Sequence, residues 1–168
     1  SLGTLEPSAT LGITAKAKAM KAAGEDLISL SAGEPDFDTP EFIKKAAIEA
    51  LEAGDTKYTP VTGKPELREA IAQKLTTENG FACEASNVVV APGAKYSLFT
   101  AIAALAGPGN EVIVPTPFWL SYASMIKAVG ARPIFLNTRP EDDFLINPEE
   151  LEASINDCTR VIILNTPS

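Results

Sequence analysis

The sequence predicts an α/β fold in which a mainly parallel sheet carries helices on both faces. Short continuous apolar runs, VVVA at 88–91, EVIV at 111–114 and RVIIL at 160–164, read as strands. Runs with no polar face belong to sheets buried on both sides. Stretches of helical apolar spacing separate them, and strands that alternate with helices imply crossovers and parallel pairing.

The elements follow in order. In residues 7–24, Leu11, Ile13, Ala15, Ala17, Ala19 and Met20 sit among lysines, which predicts a helix ending at Gly24. LISLS at 27–31 reads as a short strand. GEPDFDTP at 33–40 is crowded with turn formers and reads as a loop, with Thr39 capping a helix from Pro40 to about Ala53. Residues 54–63 form a second loop, and 64–79 a helix with Leu67, Ile71 and Leu75 on one face. From there the pattern is regular: strand 88–91, helix 94–106, strand 111–114, helix 119–129, strand 132–136, helix 148–155 and strand 160–164. Ligands of such sheets bind beyond the carboxyl ends of the strands. The chain stops at NTPS, 165–168, in one of those loops, which reads as truncation; the alternative is a chain that simply ends on a strand.

Composition excludes several functions. The 168 residues are 45% hydrophobic and 21% charged, the make-up of a soluble globular chain with one core. A net charge of −8 disfavours nucleic acid and anionic lipid as partners. No apolar run approaches the roughly 20 residues of a bilayer span, and residues 1–9 lack the features of a signal peptide. A cytosolic or organelle-matrix protein is expected. Cys83 and Cys158 form no CxxC pair, and the chain has no histidine, so neither a metal site nor a Ser-His-Asp triad is expected.

The sharpest local feature is VAPGAKY at 90–96, a strand turning through Gly93 into a helix. Free amides and the positive end of the helix dipole make such a turn an anion site. Lys95 strengthens that reading, because a cation in the first turn opposes the dipole unless an anion lies nearby. The plainer alternative is a surface lysine after an ordinary turn. Thr62-Gly63-Lys64 looks like the tail of a P-loop, but Pro65 stands where Ser or Thr is needed and Tyr58 stands at the earlier glycine position. Gly107-Pro108-Gly109 lacks a third glycine and leads into a strand. Trp119 and Tyr58 are candidates to hold a flat ligand, or else pack in a core or interface. Together with a phosphate cradle they suggest a planar phosphorylated cofactor.

At this point the motifs resemble those of a known family. PSAT at 7–10, AGEPDFDTP at 32–40, TKY at 56–58, Gly63 followed by PELREAI at 65–71, GAK at 93–95, PGNEVIV at 108–114, PFWLSY at 117–122 and NTPS at 165–168 follow the class I aminotransferases. The pattern is most similar to the bacterial and plastid type of aspartate aminotransferase, a fold-type I enzyme that uses pyridoxal 5'-phosphate. The resemblance covers the whole chain but less than half of such an enzyme. It implies that residues 1–40 are an N-terminal segment of the small domain and 41–168 an incomplete large, cofactor-binding domain.

By that resemblance, Gly93, Ala94 and Lys95 hold the cofactor phosphate, and Trp119 stacks on its ring. Tyr58 reaches the phosphate of the neighbouring subunit in a homodimer. Gly33 lies against the substrate carboxylate. Lys95 pairs with the distal carboxylate of a dicarboxylic substrate, with Ser8 and Thr10 in the segment that closes over it. The family's lysine that carries the cofactor comes after Ser168, so no residue here is expected to be catalytic and the 168 residues alone are expected to be inactive. The implied reaction moves an amino group between aspartate or glutamate and 2-oxo acids, in the cytoplasm or the stroma of a plastid. Prephenate is the rival acceptor, and a non-catalytic phosphate-binding or dimerisation module is the alternative of another class.

Overall fold

The computed structural model describes residues 9–30 and 33–166. The chain divides into two compact units, one within Glu6–Val61 and the other within Thr62–Ser168. The first holds helices α1 (Ala9–Ala22) and α2 (Glu41–Glu52). The second holds α3 (Pro65–Thr77), α4 (Ala94–Leu105), β1 (Glu111–Thr116), α5 (Ser121–Ala128), β2 (Arg132–Asn137), α6 (Pro148–Ser154) and β3 (Thr159–Ile162). No helix among the described residues is long and apolar enough to cross a membrane.

The three strands are parallel in the order β2-β1-β3. Central β1 pairs Glu111 with Arg132 through to Thr116 with Asn137 on one side. On the other it pairs Val112 with Val161 and Ile113 with Ile162, after an irregularity between Glu111 and Val112. The alternation of a strand sends Val112 and Val114 to one face and Ile113 to the other. All three are fully buried, so β1 is covered on both faces. Val112 and Val114 pack with Ile102 of α4, with Tyr122, Met125 and Ile126 of α5, and with Ile163 after β3. That cluster is the core.

Four expectations are corrected. Residues 27–30 have no regular structure, and Ile28 and Leu30 are exposed. Residues 88–91 are not a strand either, although Val88 is extended at φ −103°, ψ 128°. A strand requires a neighbour's ladder of backbone bonds, and among the described residues the Val88 amide instead closes a turn onto the Ala85 carbonyl. Thr39 does not cap α2: the N-cap is Pro40, with no side-chain bond, and Glu41 sets a negative charge against the dipole. Trp119 is not helical, because α5 begins two residues later. The apolar face expected on α3 is only partly covered, with Ala72 buried and Leu67 exposed.

The amino edge of the sheet is joined by one carboxylate. Glu111 is buried; the Arg132 guanidinium donates to one of its oxygens, and the Asn156 amide to the other at 2.9 Å. The acid thus links the start of β2 to the turn before β3. Asn156 above all, and then Arg132, holds the Glu111 carboxyl below its ordinary 4.5, against the opposing effect of burial. A carboxyl depressed in the folded state contributes stability that is complete above its unfolded pKa and lost as pH falls through the folded value.

Two stability measurements follow. At pH 7, Glu111→Gln lowers the Tm, and the gap from the parent closes as the pH is brought below 4.5; a gap that widened on acidification would contradict the assignment. Ile126→Ala, at a fully buried position, costs about 2–5 kcal/mol in denaturant titration.

Candidate functional site

Gly93 lies at φ 94°, ψ 158° as the N-cap of α4, in a region of backbone space that is essentially reserved for glycine. Its amide turns back onto the Ala91 carbonyl at 2.7 Å, and its own carbonyl accepts from Tyr96 and Ser97. The Ala94 and Lys95 amides precede the first intrahelical bonds and project from the helix start. No side chain caps this end of α4, and its first turn holds no acid. A Cβ built on Gly93 would meet nothing within 4 Å, so a ligand could approach the backbone directly. The helix dipole and the Lys95 ammonium both favour an anion there.

Trp119 enters from the loop that follows β1, two residues after the cis Thr116–Pro117 bond. Lys95 Nζ stands 4.8 Å from the Trp119 ring centroid, within the range of a cation–π contact. Tyr122 meets the same indole edge-on, with centroids 5.5 Å apart and planes at 88°. The buried Tyr122 hydroxyl donates to Asn165 Oδ1 at 3.1 Å. The start of α4, the loop after β1 and the segment after β3 therefore come together at the carboxyl ends of the strands. Beside them lies a cavity of about 360 Å³, whose lining includes Thr116, Phe118, Tyr122, Thr138, Phe144 and Asn165.

The segment that delivers Gly93 is gripped from α3. Arg68 Nε donates to the Val88 carbonyl at 2.9 Å, and Nη2 to the Ala85 carbonyl at 2.5 Å. The Val90 amide donates to the Thr62 carbonyl at 3.0 Å. Gly63, at φ 102°, packs so closely on Val90 that an added Cβ would lie 2.7 Å from Val90 Cγ2. Sequence reasoning gave neither residue this role: Gly63 and the PELREAI stretch that contains Arg68 enter only as parts of a family motif, and Gly63 also as a false P-loop. The one available signal was a glycine closing a loop just ahead of a helix-starting proline.

The structure brings Gly93, Ala94, Lys95 and Trp119 together. Tyr58 and Gly33 belong to the other unit, where both are exposed. Ser8 lies outside the described residues, as does the side chain of Thr10, whose backbone is in the first turn of α1. Among the described residues no group of acids and cysteines is arranged to hold a metal.

Comparison with known proteins gives the family. The family described as aminotransferase class I and II matches residues 25–168. An aspartate aminotransferase of Geobacillus stearothermophilus is 46% identical over 167 residues, 99% of this chain and 42% of that protein. An aspartate/prephenate aminotransferase of Cereibacter sphaeroides is 46% identical over 168 residues, 100% of this chain and 42% of its own length. The aspartate aminotransferase of Thermus thermophilus, solved with maleate, aligns with a TM-score of 0.95 at 42% identity, over 99% of this chain and 44% of that one. The chain thus spans less than half the length of the curated relatives it matches.

The grip on the glycine turn has a direct test. Gly63→Ala meets both a disfavoured φ and the Val90 side chain. It is expected to cost about 1–3 kcal/mol in chemical denaturation, and a neutral substitution would show that the close approach does not matter.

Proposed function

The chain belongs to the class I and II aminotransferases, and from that premise we propose that it is the N-terminal portion of an aspartate-type aminotransferase that uses pyridoxal 5'-phosphate. The observation that carries the proposal is the uncapped, glycine-led start of α4 with Lys95 set over the face of Trp119. The residues fit the cofactor. The open space at Gly93 admits a phosphate oxygen, the Ala94 and Lys95 amides donate to it, and the helix dipole favours its charge. The Trp119 indole offers a flat surface to the pyridine ring, and edge-on Tyr122, tied to Asn165, limits its rotation.

Pyridoxal phosphate, when bound, supplies an aldehyde that takes up the amino group and a ring that withdraws electrons from the neighbouring carbon. This chain's own contribution is to bind and orient. With its backbone engaged by phosphate, Lys95 keeps its side chain for the distal carboxylate of aspartate or glutamate. A dicarboxylate entering a partly dry pocket needs such a compensating charge. The maleate bound by the Thermus thermophilus relative is a dicarboxylate, which supports this reading.

In the same proposal Gly33 lies against the substrate's other carboxylate, Ser8 and Thr10 belong to the closing segment, and Tyr58 reaches the phosphate of a neighbouring subunit in a homodimer. Tyr58 is fully exposed, which leaves its ring available to a partner. Residues 1–40 are assigned to the small domain and 41–168 to the cofactor-binding domain. The lysine that carries the cofactor lies later in the family's sequence, so the 168 residues alone are inactive, and the working compartment is the cytoplasm or a plastid stroma. A second acceptor, prephenate, is supported by relatives that carry that substrate in their names.

The test is Lys95→Ala in the full-length enzyme. Loss of a charged hydrogen bond is expected to reduce kcat/KM for aspartate about 10- to 100-fold, mainly through KM, while an aliphatic monocarboxylic amino acid is spared. Equal loss on both substrates would remove Lys95 from carboxylate recognition.

A further inference from the structure

We propose that Arg68 is a positioning residue for the phosphate cradle, acting through the backbone of residues 85–93 without touching the ligand. The inference rests on the cofactor reading above. Its basis is the way this segment is held. Val88 is extended, and residues 89–91 lead on from it to Gly93 without regular structure. Arg68 donates to the Val88 carbonyl, and the same guanidinium reaches the Ala85 carbonyl three residues earlier. Both acceptors lie on a single 3-10 turn, Ala85–Asn87, and its C-cap. That turn sets the direction in which the chain leaves for Gly93.

The remaining restraints act on the same stretch. Val90 is tied to the Thr62 carbonyl and pressed against Gly63. The Arg68 side chain of α3 and the loop before it therefore hold the segment at Ala85, Val88 and Val90, eight, five and three residues ahead of Gly93. A cradle made of backbone amides has no rotamers with which to recover its geometry. Displacement of the turn moves every donor at once, and half an ångström is enough to degrade a preorganised site. Lysine cannot substitute, since a single ammonium on a flexible stem does not span two carbonyls as the planar fork does.

The experiment compares two ligands by equilibrium dialysis with the full-length protein: pyridoxal phosphate, and pyridoxal, which has the same ring without the phosphate. Arg68→Met and Arg68→Lys are both expected to weaken pyridoxal phosphate about tenfold or more, as loss of a supporting residue behind a ligand shell does, and to leave pyridoxal unchanged. Arg68→Lys retains the aliphatic stem and the charge, so it carries the same test should Arg68→Met not fold. Equal weakening of both ligands, or an undiminished preference for the phosphate form, would overturn the inference while leaving the cofactor reading intact. A parent protein with no preference for the phosphate form would overturn the cofactor reading, and this one with it.

Discussion

The backbone ladder on both sides of β1 is the constraint from which the rest of the sheet-containing unit follows. With parallel neighbours on each edge and burial on each face, β1 can carry no polar side chain along Val112, Ile113 and Val114. Parallel pairing sends all three chains out of the sheet at the same end. Thr116, Asn137 and Ile162 therefore release their following loops together, and the start of α4 is drawn to that end by its packing across β1 and β3. The topology thus brings loops, amide groups and a helix terminus to one edge, the place where ligands of such sheets bind.

The two ends of the sheet are built differently. At the amino end a buried carboxylate has its oxygens taken by Arg132 and Asn156, a closed arrangement suited to holding strands in register. At the carboxyl end the polar groups are backbone amides, an ammonium and an indole, with glycine keeping the approach clear. Satisfied charge serves rigidity, and donors left facing outward serve recognition.

Sequence legibility followed how local the causes were. β1, β2 and the helices of residues 62–168 were readable because each writes its own period or apolar run, and the family resemblance read from the motifs is supported by the match over residues 25–168. Gly93, Lys95 and Trp119 were readable as candidates because a glycine before a helix and a lone tryptophan are local signals. Residues 27–30 and 88–91 have the composition of strands, but a strand is a relation between two segments, and no period reports whether a partner exists. Arg68 was legible as a letter of the PELREAI motif but not as a grip on this segment, because its partners at 85 and 88 are a helix and a turn away. Thr39 and Trp119 missed their predicted roles by one or two residues, the scale on which helix ends are set by cap geometry rather than by composition.

The strand order also imposes a sequence in time on a chain made from its amino end. β1, α5 and β2 are consecutive, so the first pair of the ladder and the helix that covers it form from one contiguous stretch, Glu111 to Asn137. β3 must return past both to reach the opposite edge of β1, starting at Thr159. Short-range closure precedes long-range closure because the entropic cost of joining the ends grows with the intervening length. During synthesis the newborn sheet thus exposes one open edge of β1, with the Ile113 carbonyl still without its Ile163 donor, until the polypeptide has grown by more than twenty further residues beyond β2. That interval is when an aggregation-prone edge is bare, and it ends with the same strand whose exit brings Asn165 to Tyr122.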